Sequence, residues 1–184
     1  MLEVQEANQI LSDADCLYSE AAVEAAIATI AAQIIEEYAS LNPVVICLMN
    51  GGLIFCGKLL TRLDFPLEVD YLHVTRYGQD TEPGSLQWIV TPQQTLANRH
   101  VLVVDDILDQ GKTLLSVIKS CRDQGAESVR CAVLVDKQHD RKADQAFSAD
   151  FVGLEVEDRF LFGYGMDYKG YWRNAPGIYA IKGK

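Results

Sequence analysis

Two acidic residues and a glycine-containing turn stand together near the middle of the chain, where residues 101–113 read VLVVDDILDQGKT. The four apolar residues predict a buried strand that ends at Asp105 and Asp106. Residues 109–113 would then turn into a helix, whose free backbone amides and positive dipole end can hold a phosphate group. Because Gly111 permits close approach of the backbone, the segment predicts a site for a phosphorylated small molecule.

The elements around this segment predict an α/β protein with a doubly wound parallel sheet. Apolar runs, which are typical of strands covered on both faces, occur at residues 44–49 and 101–104 and, interrupted only by Arg130, at residues 129–135. Periodic spacing and helix-breaking residues predict helices at residues 19–38, 53–62 and 112–123. Ligands of such sheets bind outside the carboxyl ends of the strands, which is where the two acids would lie.

A hairpin with a long tip is predicted after the second helix. Its strands cover residues 67–77 and 86–90, and the connecting residues 78–87 contain glycine, proline and serine without periodicity. Loops of this length in compact domains are often lids, so we expect a long mobile loop here. Shorter strands are predicted towards the C-terminus, at residues 151–156, 159–162 and 178–181.

The balance of charges excludes partners that carry many phosphates. Sixteen lysines and arginines against 26 acidic residues give a net charge of −10 in 184 residues, with no basic run. Nucleic acids and anionic membranes select basic surfaces, so neither is an expected partner.

The sequence predicts a cytoplasmic protein. Its five cysteines are irregularly spaced, its N-terminus is unlike a signal peptide, and it has no apolar run of membrane-spanning length.

Three other interpretations of residues 101–113 fail. A P-loop needs a glycine five residues before Gly111, and the chain has Asp106 there. A response-regulator receiver domain would begin at this strand, and the 78 residues that follow Asp106 are too few to complete one. A solvated acidic turn without function does not explain why the acids, the glycine and Thr113 occur together.

The same segment resembles the phosphoribosyl diphosphate motif of the type I phosphoribosyltransferases. That motif has four apolar residues, two acids, two apolar residues and then Asp-x-Gly-x-Thr. Further segments resemble the hypoxanthine-guanine subfamily: a pyrophosphate loop at residues 49–52, a lysine-bearing strand at 133–137, and hood segments at 151–155, 158–160 and 163–168. The chain is therefore identified as a member of that subfamily.

The resemblance implies the type I phosphoribosyltransferase fold for the whole chain. We expect a single domain over residues 1–184, with a parallel-sheet core at residues 19–148. A small hood would be formed by residues 1–18 and 149–184. Because the family is usually dimeric or tetrameric, a homodimer or homotetramer is expected.

The resemblance also implies purine salvage. The phosphoribosyl group would pass from 5-phosphoribosyl 1-diphosphate to hypoxanthine or guanine, giving IMP or GMP and pyrophosphate, with Mg²⁺ as cofactor. Asp109 would be the catalytic base that takes the N7 proton of the purine. The residues implied in binding the diphosphate are Asn50, Gly51, Arg76, Tyr77, Asp105, Asp106, Asp109, Gln110, Gly111, Lys112, Thr113 and Arg173.

Purine recognition is implied for residues of the hood and of the lysine-bearing strand. Lys137 would donate to the oxygen at position 6, which adenine lacks, and Phe160 would stack on the base. The backbone of Leu161 would read the edge of the ring. The implied purine-binding residues are Lys137, Phe160, Leu161 and Asp167, and the implied magnesium ligands are Asp105, Asp106 and Asp167.

Two segments depart from the usual pattern of the subfamily. Asn50 stands where a basic residue is usual, and Arg76 with Tyr77 stands where the lid usually carries a Ser-Tyr pair. We expect Arg76 to supply the cation that is missing at Asn50. The first acid of the motif is more often Glu, and Asp105 keeps the charge with a shorter reach.

Two alternatives to a hypoxanthine-guanine enzyme stay open. One is a ligand-sensing regulator on the same fold, and the other is a paralogue that prefers xanthine.

His73, His100 and His139 match nothing in the motif, and no metal-ligand spacing joins them. We interpret these histidines as structural or surface residues.

Overall fold

The computed structural model describes residues 2–76 and 86–183. Tyr77 and residues 78–85 of the expected mobile loop lie outside the described residues. In chain order the elements are α1 (Val4–Asp13), β1 (Asp15–Tyr18), α2 (Glu20–Tyr38), β2 (Val44–Met49), α3 (Leu53–Leu60), β3 (Glu68–Arg76), β4 (Leu86–Val90), β5 (His100–Leu108), α4 (Lys112–Asp123), β6 (Ser128–Gln138), β7 (Phe151–Glu157), β8 (Leu161–Phe162) and β9 (Ile178–Ala180).

The main sheet has six strands in the order β4-β3-β2-β5-β6-β7. Neighbouring strands run parallel except in the β3–β4 hairpin, which is antiparallel. Side chains of β2 alternate between two core layers: Val45 and Cys47 pack with α2 and α3, whereas Val44 and Ile46 pack with α4. Helices therefore cover both faces, which confirms the predicted α/β fold with a mostly parallel, doubly wound sheet.

Strand β5 continues past the point where the apolar pattern predicts its end. Its pairing with β2 stops at Val104, whereas its pairing with β6 runs on through Asp105 to Leu108. The continuing β6 ladder satisfies the backbone of this stretch and keeps it extended. As a result, the two acids are held within a strand and not in a turn.

A smaller antiparallel sheet, β1-β9-β8, forms the hood beside the main sheet. Residues 149–184 are expected in the hood, yet β7 pairs with β6 in the main sheet, so the boundary between the two sheets falls after Glu157. The polar N-terminal segment, for which no element is predicted, forms α1 and β1; the indole N–H of Trp172 fastens α1 by donating to Ala7 O at 2.6 Å. In the described residues, no helix has the length and apolar character needed to cross a membrane.

Candidate active site

The carboxyl ends of β2 and β5 open into a cavity of about 590 Å³. Its wall brings together most of the residues expected to bind the diphosphate: Asn50, Gly51, Asp105, Asp106, Asp109, Gln110, Gly111, Thr113 and Arg173. Lys112 does not line this cavity, and its side chain is exposed. Tyr77 lies outside the described residues, and the side chain of Arg76 is not described.

The turn between β5 and α4 depends on Gly111. This residue has a φ of +76°, which glycine adopts without strain, and it precedes the first residue of α4. A Cβ atom there would lie 3.2 Å from Leu108 Cδ1 and 3.4 Å from Phe147 Cδ1. Since glycine has no side chain that could cap the helix, the turn presents backbone amides to the cavity, where they can hold an anion.

Asp105 and Asp106 form an acidic pair in the cavity wall, with Asp106 buried and Asp105 partly buried. The backbone N–H of Asp106 donates to Asp105 Oδ1 at 2.9 Å. Burial and the neighbouring Asp106 charge raise the pKa of Asp105 well above its ordinary value. Burial also raises the pKa of Asp106, although Asp105 and Arg173 oppose that shift. Hydroxyl donors or a divalent cation bound between the carboxylates of Asp105 and Asp106 would stabilise their charged forms.

Gly51 brings the loop after β2 against this acidic pair. A Cβ atom at Gly51 would overlap the Asp106 carboxylate, and one at Gly165 of the hood would overlap the Gly51 carbonyl oxygen. The peptide bond between Met49 and Asn50 in the same loop is cis. Three segments that are distant in the sequence therefore meet at backbone contact beside the cavity.

The hood contributes a carboxylate, from Asp167, and a guanidinium, from Arg173, to the cavity wall. Asp167 Oδ1 lies 2.5 Å from Arg173 Nη2, and its Oδ2 accepts a hydrogen bond from the backbone of Gly170 at 2.6 Å. Arg173 Nη1 donates to the carbonyl of Gly165 at 2.6 Å. These contacts fix the guanidinium, which is thereby positioned to pair with an anionic ligand.

A second cavity, of about 260 Å³, adjoins the first and brings together the residues expected to bind the purine. Lys137, Phe160, Leu161 and Asp167 line it together with Asp106, Ile107, Asp109 and Met166. Phe160 is 46% exposed, and its ring packs edge to face on Tyr168 with 5.5 Å between the ring centroids. An exposed ring held in this way offers a free face on which a planar base can stack.

Lys137 lines this second cavity with its side chain only 13% exposed. Its Nζ is 3.1 Å from Asp158 Oδ1 and 3.9 Å from Asp109 Oδ1. The hydrogen bond from Lys137 is also the main reason why the pKa of Asp158 is lowered. A buried ammonium group with remaining donor capacity suits a carbonyl oxygen of a ligand.

His139 is a polar residue of the site that the sequence analysis interprets as structural or surface. Its side chain is 4% exposed, and Nε2 lies 2.6 Å from Asp109 Oδ1. The signal in the sequence is its spacing of two from Lys137, because alternate residues of an extended segment share one side. His73 also lines the first cavity, whereas His100 contacts Ser128 through Nδ1 and Oγ at 2.8 Å.

Comparisons with known proteins agree with this geometry. The sequence model of the family described as "Phosphoribosyl transferase domain" matches residues 13–169. The chain is 35% identical to hypoxanthine-guanine phosphoribosyltransferase of Bacillus subtilis over 167 residues, which are 90% of this chain and 92% of that protein. It is 34% identical to hypoxanthine-guanine-xanthine phosphoribosyltransferase of Tritrichomonas foetus over 166 residues, which are 90% of each. The crystal structure of a hypoxanthine phosphoribosyltransferase from Staphylococcus aureus superposes with a TM-score of 0.87 at 31% identity, and 95% of each chain is covered.

Proposed function

The chain belongs to the phosphoribosyltransferase family, within its hypoxanthine-guanine subfamily, and from this premise we propose how its residues serve purine salvage. The enzyme transfers the phosphoribosyl group of 5-phosphoribosyl 1-diphosphate to hypoxanthine or guanine, and it yields IMP or GMP and pyrophosphate. One observation carries the assignment of its site: Asp109 lines both the phosphate cavity and the purine cavity. A group at that junction can touch a base while the sugar phosphate occupies the neighbouring cavity.

Asp109 is the catalytic base in this proposal. N9 of the purine attacks C1′ of the ribose while the bond from C1′ to the pyrophosphate oxygen breaks and its electron pair leaves with pyrophosphate. The proton on N7 passes to a carboxylate oxygen of Asp109, and the electrons of the N7–H bond return to the ring. General base catalysis of this kind contributes typically about 10²- to 10⁴-fold to a rate.

The diphosphate substrate is held by three groups of residues. The amides and hydroxyl of residues 109–113 bind the 5′-phosphate at the start of α4, where the helix dipole favours an anion. Asp105 and Asp106 accept hydrogen bonds from the ribose hydroxyls. The pyrophosphate lies between the loop that contains Asn50 and Gly51 and the fixed guanidinium of Arg173, and we propose that Arg76 adds a second cation.

Mg²⁺ fits the donor set of this site. Asp105, Asp106 and Asp167 offer the carboxylate oxygens that Mg²⁺ prefers. Burial is the main reason why the pKa values of Asp105 and Asp106 are raised, and a bound cation would offset that cost of ionisation. When bound, Mg²⁺ neutralises part of the charge on the diphosphate. The residues of the chain orient the sugar and the purine whether or not Mg²⁺ is bound.

Recognition of the base follows from the second cavity. Lys137 donates to the oxygen at position 6 of hypoxanthine or guanine, and the backbone of Leu161 binds the edge of the ring. Phe160 stacks on the base, which is worth about 0.5–1.5 kcal/mol beyond area burial. The name of the Tritrichomonas foetus relative includes xanthine, so a preference for that base is the second candidate function.

We also propose a single domain that assembles into a homodimer or homotetramer in the cytoplasm. Half-exposed apolar side chains around the outer groove beside α3 and β3, among them Leu53, Val69 and Tyr71, support the assembly. The five cysteines all lie within the described residues as free thiols, which suits a reducing compartment. Light scattering after size exclusion tests the assembly, and a monomer at micromolar concentration argues against it.

The activity is tested by one incubation with the diphosphate, Mg²⁺ and a panel of five bases: hypoxanthine, guanine, xanthine, adenine and uracil. We expect mass spectrometry to detect IMP and GMP from the wild type and to find their formation reduced at least about a hundredfold in Asp109→Asn. Asp123→Asn, on the exposed side of α4, serves as the matched control. If the wild type binds the diphosphate and forms no nucleotide, the ligand-sensing alternative replaces the enzyme. A product from xanthine alone favours the xanthine paralogue.

A further inference from the structure

The imidazole of His139 is buried between two polar groups at the carboxyl end of β6. Nε2 lies 2.6 Å from Asp109 Oδ1, and the backbone N–H of Arg141 donates to Nδ1 at 3.0 Å. With 4% of the side chain exposed, the ring depends on such internal partners for its hydrogen bonds. Both ring nitrogens are therefore committed within the protein.

The contact with Arg141 determines which nitrogen of His139 carries the hydrogen. A backbone N–H can only donate, so Nδ1 must present its lone pair to it. In the neutral ring the hydrogen then resides on Nε2, which donates to Oδ1 of Asp109. The hydrogen bond has a fixed direction: the imidazole donates and the carboxylate accepts.

The segment that carries His139 is fastened to the turn that carries Asp109. The backbone N–H of Ala143 donates to the carbonyl of Gln110 at 2.8 Å. Lys142 pairs with Asp136 at 2.6 Å, with both side chains largely buried, which anchors the segment to β6. Because the backbone on both sides of the contact is held, the imidazole is a rigid support for the carboxylate.

Within the described residues, the contacts of the Asp109 side chain with His139 and Lys137 fall on the same oxygen. His139 Nε2 is 2.6 Å and Lys137 Nζ is 3.9 Å from Oδ1. Without the imidazole, the carboxylate would be free to rotate towards the ammonium group. That movement would pair the proposed base with the proposed donor to the purine oxygen and would occupy both.

We infer that His139 is a positioning residue for Asp109: it holds Oδ1 by a hydrogen bond from Nε2 and leaves Oδ2 to take the proton of the purine. It also keeps Oδ1 of Asp109 at 3.9 Å from Lys137 Nζ, beyond hydrogen-bond distance, so that the lysine, which already pairs with Asp158, keeps donor capacity for the purine. This inference rests on the proposed function, because it gives a role to His139 within the same reaction.

Two variants separate positioning from folding. In His139→Gln the side-chain amide reaches near the place of Nε2 and can still donate to Asp109. In His139→Asn the amide reaches only the place of Nδ1, so the contact with Arg141 can persist while the contact with Asp109 is lost. Misplacement of a catalytic group by about 1 Å can cost about a hundredfold in rate, so we expect kcat of His139→Asn to fall about ten- to a hundredfold.

The expected pattern is a loss in kcat with rescue by glutamine. His139→Gln should retain kcat within about threefold of the wild type, and KM for the diphosphate should change less than about threefold in both variants, since the phosphate turn is held by other contacts. Thermal unfolding of the two variants checks that both are folded. Equal kcat values for His139→Asn and the wild type would overturn the inference, as would equal losses in the two variants.

The hydrogen-bond direction is also measurable without catalysis. The chain has three histidines, so ¹⁵N-histidine labelling gives few signals, and His139→Gln assigns the one of interest. We expect the Nε2-protonated neutral ring, with an Hε2 resonance that moves upfield in Asp109→Ala. An Nδ1-protonated ring would contradict the inference even in an active enzyme. A wild type that forms no nucleotide refutes the proposed function instead, and the NMR result still decides whether Asp109 is held.

Discussion

Gly51 and Asp106 are in direct contact, so that a Cβ atom at Gly51 would overlap the Asp106 carboxylate. The contact joins the loop after β2 to the strand β5, and the hood closes on the other side of the same loop at Gly165. The Asp106 carboxylate, which we propose binds the substrate, therefore keeps its position only because residue 51 has no side chain.

The first prediction concerns Gly51→Ala. The added methyl group must displace the Asp106 carboxylate, so we expect kcat/KM for 5-phosphoribosyl 1-diphosphate to fall at least about tenfold, which corresponds to about 1.4 kcal/mol. Steady-state kinetics at varied diphosphate concentration measures the loss. Gly57→Ala is the matched control, because a Cβ atom at that helical position meets nothing within 4 Å. The control should keep its activity and gain about 0.5–1 kcal/mol of stability; comparable losses in the two variants would refute the steric explanation.

The second prediction concerns the selectivity for the oxygen at position 6. Lys137→Met keeps an unbranched side chain and removes the buried donor. We expect kcat/KM for hypoxanthine to fall about ten- to a hundredfold, since a hydrogen bond to a charged group is worth about 1.5–3 kcal/mol. The value for adenine should not fall, because adenine has no oxygen at that position. Lys119→Met, at an exposed position of α4, is the control. A parallel loss for both bases would mean that Lys137 supports the fold and does not read the base.

Local patterns predict the parts of the site that are contiguous in the chain. Asp105, Asp106 and the turn at Gly111 follow one another in sequence, and the strand and helix that flank them have strong apolar patterns of their own. The roles of Lys137 in β6 and of Phe160 in the hood come from the resemblance to the family. For Asp105, Asp106 and Gly111, the sequence spacing is enough to predict that they share one site, because they lie in a short segment between a regular strand and a regular helix.

Contacts between distant segments explain the rest. Asp109 and His139 are 30 positions apart in the sequence, and their contact depends on the way residues 139–147 fold back on the turn. The extension of β5 beyond Val104 depends on its pairing with β6, and the membership of β7 in the main sheet depends on the same neighbour. No local pattern encodes a pairing partner, so these features appear only in the assembled sheet.

The third prediction concerns Glu24, whose carboxylate links α2 and α3 to the hood. Glu24 of α2 pairs with Lys58, accepts a hydrogen bond from the Tyr164 hydroxyl and pairs with Arg62, which together lower its pKa to about 2. A lowered pKa in the folded state adds stability above the ordinary value of 4.5, and this stability is lost as the pH falls towards 2. Because the side chain is partly exposed, we expect Glu24→Gln to lower the free energy of unfolding by only about 1 kcal/mol at pH 7.

Urea unfolding at pH 7, 5 and 3.5 measures this effect. The difference between Glu24→Gln and the wild type should be constant from pH 7 to 5 and should shrink at pH 3.5. Glu37→Gln is the control, because its ion pair with Arg130 is more exposed and should contribute less. A difference for Glu24→Gln that grows as the pH falls would reverse the expected sign and refute the assignment of the pKa.

The last prediction sets stability against substrate binding at Asp105. Its raised pKa means that the folded chain holds a proton more tightly than the unfolded chain, so charging this carboxyl destabilises the fold as the pH rises above 3.8. Asparagine removes the charge and keeps an oxygen that can accept the hydrogen bond from Asp106 N–H. In Mg²⁺-free buffer at pH 7 we therefore expect Asp105→Asn to unfold at a higher temperature than the wild type.

The order should reverse when substrate is present. A ligand at a hundred times its Kd stabilises a folded protein by about 2.7 kcal/mol, and the variant should gain much less than this from the diphosphate with Mg²⁺ because it lacks a carboxylate that we propose holds the ribose. Thermal unfolding with and without the diphosphate and Mg²⁺ gives both quantities in one experiment. If Asp105→Asn is less stable than the wild type without ligand, the charge at position 105 is already compensated within the protein. If it gains as much as the wild type with ligand, Asp105 does not bind the substrate.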